Sequence, residues 1–176
     1  MNDPTQFKRS MAPVGSADAR LLILGSLPGD ASLAAQRYYA HPTNQFWRLL
    51  GRAIGEELAS LDHDARLERL AERRIALWDV LADAVRAGSL DNAIRDPRAN
   101  SLTDYVAAHP RLKAIAFNGN TAAAIGRRSL AATTGIALID LPSSSAAFTR
   151  SFDDKLRDWE ALGDFAGPAN SANKRA

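Results

Sequence analysis

The stretch RLLILG at residues 20–25 decides the fold of this 176-residue chain. It is a continuous apolar run that ends in glycine, a pattern typical of a strand buried on both faces of a parallel sheet. Three more short apolar runs follow it, at residues 75–78, 114–117 and 136–141. Together these runs predict a central sheet of four strands, mostly parallel.

Helical patterns separate the apolar runs. Residues 44–54 place their apolar side chains along one stripe of a helix. Including this one, helices are predicted at residues 44–54, 62–73, 81–86, 101–108, 120–130 and 153–162. Because strands and helices alternate, we expect an α/β fold, a three-layer α/β/α sandwich with helices on both faces of the sheet.

The two ends of the chain read differently from its middle. Residues 1–18 look irregular, and the tail at 167–176 is rich in Gly, Pro, Asn and Ser, so we expect it to be flexible. No linker or repeat divides residues 19–166, which we expect to form a single domain.

Composition excludes several classes of protein. There is no cysteine, which excludes disulfides and thiolate metal sites and fits a reducing cytoplasm. The three histidines lie far apart in sequence, so no metal site is expected. No apolar run approaches the roughly 20 residues of a membrane helix, and the N-terminus lacks the apolar stretch of a secretory signal. The net charge of +2 does not indicate a protein that coats nucleic acid.

Unusual residues follow all four predicted strands, at the sheet edge where such folds bind their ligands. The first strand runs into GSLPGD at residues 25–30, a turn whose backbone N–H groups could approach an anion. Asp79 follows the second strand and Asn118 the third, and the small-residue loop LPSSSAA at residues 141–147 follows the fourth. Each segment alone is equally consistent with ordinary turn or helix-cap chemistry.

The block YYAHPTNQFW at residues 38–47 is the densest polar and aromatic cluster. Aromatic rings beside a cleft can stack on a nucleobase, at about 1–3 kcal/mol for each base. Phe46 lies on the apolar helical stripe and is expected in the core, and Asn44 could simply cap that helix. Tyr39 is the residue of this block whose presence packing or capping explains least.

Taken together and in order, these segments resemble the uracil-DNA glycosylase superfamily, and most closely its hypoxanthine-DNA glycosylase branch. The resemblance covers residues 21 to about 150. It is carried by GSLPGD, SLAAQRYYAHPTNQFW, IALWDVL, GSLDNAI, AFNGNTA and LPSSSAA.

The resemblance implies an enzyme that needs no metal or cofactor, and it implies roles for individual residues. Asn44 becomes the catalytic residue, because Leu27 stands where the superfamily normally carries an acidic or amide side chain. The implied base-binding residues are Tyr39, Asp79, Asn118 and Leu27, and the implied phosphate and wedge residues are Ser26, Pro142, Ser143, Ser144 and Ser145. Among these and their neighbours, Asp30 and Asp79 are the carboxylates that could replace Asn44 in handling the attacking water.

We therefore expect a DNA glycosylase that flips out a deaminated base and hydrolyses its bond to the sugar. Hypoxanthine, uracil and xanthine all remain open as substrates, and DNA is the expected partner of a monomer. The main alternative is a DNA- or nucleotide-binding module of the same fold without chemistry, because Leu27 cannot handle water. A serine hydrolase is weaker, since no GxSxG turn is present.

Overall fold

A computed structural model describes residues 6–169, so part of the segment 1–18 and most of the tail 167–176 lie outside the described residues. The strands are β1 Phe7–Arg9, β2 Val14–Gly15, β3 Leu21–Gly25, β4 Ile75–Asp79, β5 Leu81–Arg86, β6 Ile94–Ala99, β7 Ala114–Asn118 and β8 Ala137–Leu141. The helices are α1 Asp30–Ala35, α2 Phe46–Ile54, α3 His63–Glu72, α4 Leu102–Ala108, α5 Asn120–Ser129 and α6 Phe152–Trp159. Short 3-10 turns cover Asp91–Ala93 and Glu160–Asp164.

The main sheet has the strand order β2-β4-β3-β7-β8. Its four longer strands are parallel, which confirms the predicted four-stranded core, and the two-residue β2 adds an antiparallel edge. β3 lies in the middle, and all five of its residues are buried. The register pairs Gly25 with Asp79 and Asn118 with Leu141, so the polar residues after the strands meet at one edge.

Side chains of β3 alternate between two cores, one on each face of the sheet. Leu21 and Ile23 join a cluster built with α2 and α6, while Leu22 and Leu24 join a cluster built with α4 and α5. On the second face α5 lies very close to the sheet, because a Cβ at Gly126 would stand 2.1 Å from the Phe117 ring. The three-layer α/β/α architecture is thereby confirmed.

A second sheet, in the order β1-β5-β6, was not predicted. The short helix expected at residues 81–86 is wrong: this segment is β5, which pairs antiparallel with β1 on one side and β6 on the other. The residues before position 19 are likewise not all irregular, since they supply β1 and β2. Backbone pairing with partners distant in sequence outweighs the weak local helical pattern of LADAVR in β5.

Candidate active site at the carboxyl ends of the parallel strands

A cavity of about 480 Å³ opens at the edge where the parallel strands end. Most residues singled out from the sequence line it, namely Ser26, Leu27, Asp30, Tyr39, Asn44, Asp79, Asn118, Ser143, Ser144 and Ser145. Pro142 lies behind the wall instead, and its carbonyl accepts a 3.0 Å hydrogen bond from Trp159 Nε1. Segments far apart in the chain thus form one site.

A chain of hydrogen bonds links Asn44, Ser144 and Asn118 across the cavity. Ser144 Oγ donates to Asn44 Oδ1 at 2.8 Å and accepts from Asn118 Nδ2 at 2.8 Å. The backbone N–H of Ser144 donates to Asn118 Oδ1 at 2.9 Å. Ser144 is fully buried and uses both of its donors in this chain, so the geometry does not support its predicted contact with phosphate. Ser144 instead fixes the two amides.

The orientation of the Asn44 amide follows from its neighbours. Its Oδ1 accepts from the Phe46 backbone N–H at 2.9 Å as well as from Ser144 Oγ. Because a backbone N–H must face an acceptor, the oxygen points to Phe46 and the Nδ2 group is left to face other partners. Asn44 therefore binds the first backbone N–H of α2, although the N-cap of that helix is Gln45, and it offers hydrogen-bond donors at the same time.

Asp79 is a buried carboxylate in the floor of the cavity. Ser10 Oγ donates to its Oδ2 at 2.8 Å, which orients the group from below. Burial raises the pKa of Asp79 to about 7, because removal from water penalises the charged form; the hydrogen bond from Ser10 and the charge of Arg86 partly oppose this shift. Asp79 therefore changes charge close to neutral pH.

Tyr39 is held rigidly beside Asp79. It adopts a left-handed backbone with φ of 52°, and its ring stacks on the Phe46 ring with centroids 3.7 Å apart. The Tyr39 hydroxyl is buried and has no hydrogen-bond partner among residues 6–169. Burial, followed by the charge of Asp79, raises the pKa of this hydroxyl, so it stays a neutral donor.

Gly25 makes room for both polar groups. A Cβ at this position would stand 2.8 Å from Asp79 Oδ1 and 3.0 Å from the Tyr39 hydroxyl oxygen. A side chain here would therefore displace one of the two groups. The carboxylate and the hydroxyl converge on one point of the floor because glycine occupies it.

The first loop offers its backbone to the cavity more than its side chains. Leu27 is buried in the second core, so its side chain serves packing. Ser26 is also buried, and its hydroxyl donates to Asp91 Oδ1 at 2.6 Å, which removes that proton from the predicted phosphate contact. Asp30 lies at the exposed rim and forms an ion pair with Lys8.

The loop after β8 keeps two hydroxyls available. Ser143 Oγ accepts from the Ser145 N–H and Ser145 Oγ accepts from the Ala147 N–H, each at 3.2 Å. Both side chains are partly exposed, and their hydroxyl hydrogens are not used in these bonds. Ser143 and Ser145 therefore fit a phosphate contact better than Ser26 or Ser144.

Three residues at the site escaped the sequence analysis, two in the cavity wall and one, Ser10, outside it. Ser10 supports Asp79, and Leu90 and Phe148 line the cavity as exposed apolar side chains. Exposure depends on the whole fold and carries no signature in a single sequence. Leu90 does lie in the GSLDNAI segment, but nothing in that phrase shows that its side chain faces solvent.

Neither a metal cluster nor a membrane-crossing helix is found in the described part of the chain. Among residues 6–169 no three His, Cys, Asp or Glu side chains come close enough together to hold a metal ion. The helices in the same range are too short or too polar to cross a membrane.

The sequence model of the uracil DNA glycosylase superfamily matches residues 12–163 of this chain. This range includes every strand and helix around the cavity. This chain belongs to the uracil DNA glycosylase superfamily. The predicted resemblance is thereby confirmed.

Two curated relatives and one solved structure from the superfamily are similar over most of the chain. A hypoxanthine DNA glycosylase from Methanosarcina acetivorans is 39% identical over 156 residues, 89% of this chain and 98% of its own. One from Methanosarcina barkeri is 40% identical over 154 residues, 86% and 95% of the two chains. The solution NMR structure of a candidate uracil DNA glycosylase from Methanosarcina acetivorans is 39% identical, with a TM-score of 0.79 over 89% of this chain and 96% of that one.

Proposed function

We propose that this superfamily member is a monofunctional DNA glycosylase that removes deaminated bases from DNA, with hypoxanthine as its preferred substrate. The observation that carries the proposal is the pair of buried polar groups around Gly25, the Asp79 carboxylate and the unpartnered Tyr39 hydroxyl. Buried polar groups are almost always paired, so the unpartnered Tyr39 hydroxyl, next to the Asp79 carboxylate in a cavity that both residues line, points to a ligand. The names of the two relatives point to the same base.

The polar pair matches what deaminated bases share. Hypoxanthine, uracil and xanthine each present a ring N–H beside a carbonyl, whereas adenine and cytosine present a bare ring nitrogen beside an amino group. An ionised Asp79 accepts from the ring N–H, and the Tyr39 hydroxyl donates to the neighbouring carbonyl. Adenine or cytosine would set a nitrogen lone pair against Asp79 and leave buried groups unpaired, which costs several kcal/mol in such sites. Guanine and thymine share the N–H and carbonyl, so their rejection depends on the guanine 2-amino group and the thymine 5-methyl group.

The Tyr39 ring provides the second recognition element. Phe46 covers one of its faces, so the opposite face is the one that an extruded base can stack on. The left-handed backbone of Tyr39 costs about 1–3 kcal/mol, a cost found mainly where function requires the geometry. A preformed aromatic stack therefore receives the base.

Asn44 is the proposed water-orienting residue. The bond from sugar to base breaks with its electrons going to the base, and the sugar becomes oxocarbenium-like. Water then adds to C1′ and gives a proton to the departed base. The Nδ2 group of Asn44 donates to the oxygen of this water, while the Asn44 Oδ1 is already occupied. Asp30 is the weaker candidate for this role because Lys8 pairs with it at the rim.

Two exposed apolar side chains at the cavity fit a role in opening the duplex. Residues 6–169 contain three exposed large apolar side chains, and two of them, Leu90 at 53% and Phe148 at 38% exposure, line this cavity. Apolar wedges of this kind unstack base steps in DNA. Phe148 follows the predicted wedge loop and is the proposed wedge, while Ser143 and Ser145 bind the adjoining phosphates.

We further propose that the enzyme works as a monomer in the cytoplasm, with DNA as its partner. One chain supplies every residue of the cavity wall named above, and the absence of cysteine from the sequence fits a reducing compartment. Sedimentation of the protein with and without a lesion-containing duplex tests the stoichiometry. A dimer in both samples would contradict it.

The decisive experiment measures base release from oligonucleotides that each carry one hypoxanthine, uracil or xanthine, single- and double-stranded, with chelator present. Alkali converts the abasic sites to breaks, and an undamaged adenine strand is the matched control. We expect release from the lesion strands with hypoxanthine fastest, and none from adenine. Binding of lesion DNA without release, by protein shown to be folded, would favour the non-catalytic module instead.

A further inference from the structure

Arg86 is a buried arginine that donates to the backbone of the first loop. Its side chain is fully buried at the end of β5. Nη1 donates to the Leu27 carbonyl at 3.1 Å, Nη2 donates to the Pro28 carbonyl, and Nε donates to the Gly88 carbonyl at 3.1 Å. Its nearest carboxylate, at Asp91, lies 4.0 Å away, so these neutral carbonyls are its main partners.

All four carbonyls of the loop from Gly25 to Pro28 are bound from the β5 side. The Gly25 carbonyl accepts from the Val80 N–H at 2.8 Å and the Ser26 carbonyl from the Leu81 N–H at 3.1 Å. Arg86 takes the remaining two, at Leu27 and Pro28. The backbone of Val80 and Leu81 at the start of β5 and the side chain of Arg86 at its end therefore fix the loop in one orientation.

The orientation of the carbonyls decides where the loop N–H groups point. In a trans peptide the C=O of one residue and the N–H of the next point in opposite directions. The Pro28 carbonyl faces Arg86, so the Gly29 N–H faces away from it. Gly29 itself lines the cavity, and in the part of the chain described here its N–H donates to no protein group.

We propose that Arg86 is a positioning residue for catalysis: by holding the Leu27 and Pro28 carbonyls, it turns the Gly29 N–H toward the cavity, where this N–H stabilises the charge that develops on the departing base. The role rests on the glycosylase function proposed above. A preorganised N–H aimed at developing charge acts mainly in the transition state, and loss of one such donor costs about 10²- to 10³-fold in rate.

The guanidinium suits this position better than an ammonium would. Its planar fork reaches three carbonyls in different directions at once, while a lysine presents one nitrogen. R86K would therefore keep the positive charge but not the three differently directed donors.

The first test removes the N–H itself. Gly29 has φ of −69°, close to the angle that proline fixes, and a Cβ there would meet only Ser89 atoms at 3.5 Å or more. G29P therefore deletes the N–H at a φ angle that proline adopts, and G29A is its matched partner that keeps the N–H. We expect the single-turnover rate of base release to fall about 10²-fold more in G29P than in G29A. Equal rates in the two variants would overturn the proposal.

The second test removes the fork, with R73K as the control for R86K. Arg73 is also buried and donates to backbone carbonyls, at Ile54 and Gly167, but lies outside the cavity wall. We expect both variants to lose thermal stability. R86K alone should lose single-turnover rate, by about 10²-fold, while its Kd for DNA with an uncleavable lesion analogue changes less than about threefold.

Several outcomes would count against Arg86. An R86K rate equal to that of R73K, or a loss that appears only in Kd, would overturn the positioning role. If R86K does not fold, equal rates in G29P and G29A would still overturn the proposal, because the positioning role of Arg86 depends on the Gly29 N–H. A wild-type protein that releases no base would instead contradict the proposed function, so the two failures are distinguishable.

Discussion

The free group of the Asn44 amide is its Nδ2 donor, because Oδ1 already accepts two hydrogen bonds. Asn44→Ala removes the water-orienting Nδ2, and Asn44→Asp replaces that donor with an acceptor while keeping an oxygen for Phe46. We expect both variants to lose single-turnover base release by about 10²-fold or more, as for other oriented catalytic groups. Rapid-quench measurement at saturating enzyme isolates the chemical step.

Stability separates the two Asn44 variants. Asn44→Ala should also lose about 1 kcal/mol of unfolding free energy because the Phe46 N–H and Ser144 Oγ lose their acceptor, while Asn44→Asp keeps that acceptor and should not. Full activity in Asn44→Asp would mean that the residue acts as an acceptor, against the geometry described above.

Asp79 gives a prediction about pH. Its pKa is raised to about 7 by burial, and its ionised form is the stronger acceptor for the ring N–H of a deaminated base, since a charge-assisted hydrogen bond is about twice as strong as a neutral one. Base release should therefore rise with pH through about 7 and level off above it. Asp79→Asn keeps an acceptor oxygen without a titration, so its pH–rate profile should be lower and lack this limb. Single-turnover rates between pH 5 and pH 9 measure both profiles.

The same carboxyl should affect stability in the opposite sense. Between pH 4 and pH 7 the folded protein retains the Asp79 proton that the unfolded chain has lost, so the free energy of unfolding falls as pH rises across this window. The shift from 3.8 to about 7 corresponds to roughly 4 kcal/mol. Asp79→Asn should therefore gain stability relative to wild type between pH 4 and pH 8, measured by urea unfolding. A difference in unfolding free energy between Asp79→Asn and wild type that does not change with pH would contradict the raised pKa.

Asp79 and Asn118 could be placed in one site from the sequence because parallel strands end at one edge of a sheet, and Tyr39 and Asn44 because the family resemblance assigns them there. The partners of these residues could not be predicted in the same way. Ser10 reaches Asp79 across 69 positions, and Ser144 reaches Asn44 across 100. Which serine bonds which amide depends on packing distances that no local pattern encodes.

At the scale of secondary-structure elements, the four buried strands were predictable and the second sheet was not. A strand such as β3 is apolar throughout because it is covered on both faces. β5 instead reads as LADAVR, and its burial pattern mixes a buried leucine and a buried alanine with a buried aspartate and arginine. Its identity comes from pairing with β1 and β6, and its role is to carry Arg86 behind the first loop.

The loop between β8 and α6 yields the next prediction. Phe148→Ala should lower the rate of lesion-base release from duplex DNA by about tenfold or more. The rate of release from single-stranded DNA should fall much less, because only the duplex requires unstacking. Phe7→Ala is the matched control, since Phe7 is also exposed, at 56%, but lies outside the cavity wall. The ratio of duplex to single-strand rates is the readout. An equal ratio in both variants would exclude Phe148 as the wedge.

On the scale of the whole molecule, the fold divides binding from support. The parallel sheet gathers backbone amides and small polar side chains at one edge, and the second sheet braces the first loop from behind. Charged groups at this edge are mostly engaged internally: Arg86 binds carbonyls and Lys8 pairs with Asp30. We therefore expect recognition of DNA to depend on neutral hydrogen-bond donors and on the flipped base more than on a basic surface.

This distribution of charge predicts a shallow salt dependence of DNA binding. The net charge is only +2, and the phosphate contacts proposed here come from the hydroxyls of Ser143 and Ser145, which release few counterions. Each phosphate neutralised by a cation contributes about −0.9 to the slope of log K against log salt concentration. We expect a slope no steeper than about −3 for undamaged duplex, measured by fluorescence anisotropy between 50 and 200 mM salt. A much steeper slope would place several arginines on the phosphates and would make electrostatic attraction, instead of capture of the extruded base, the main source of affinity.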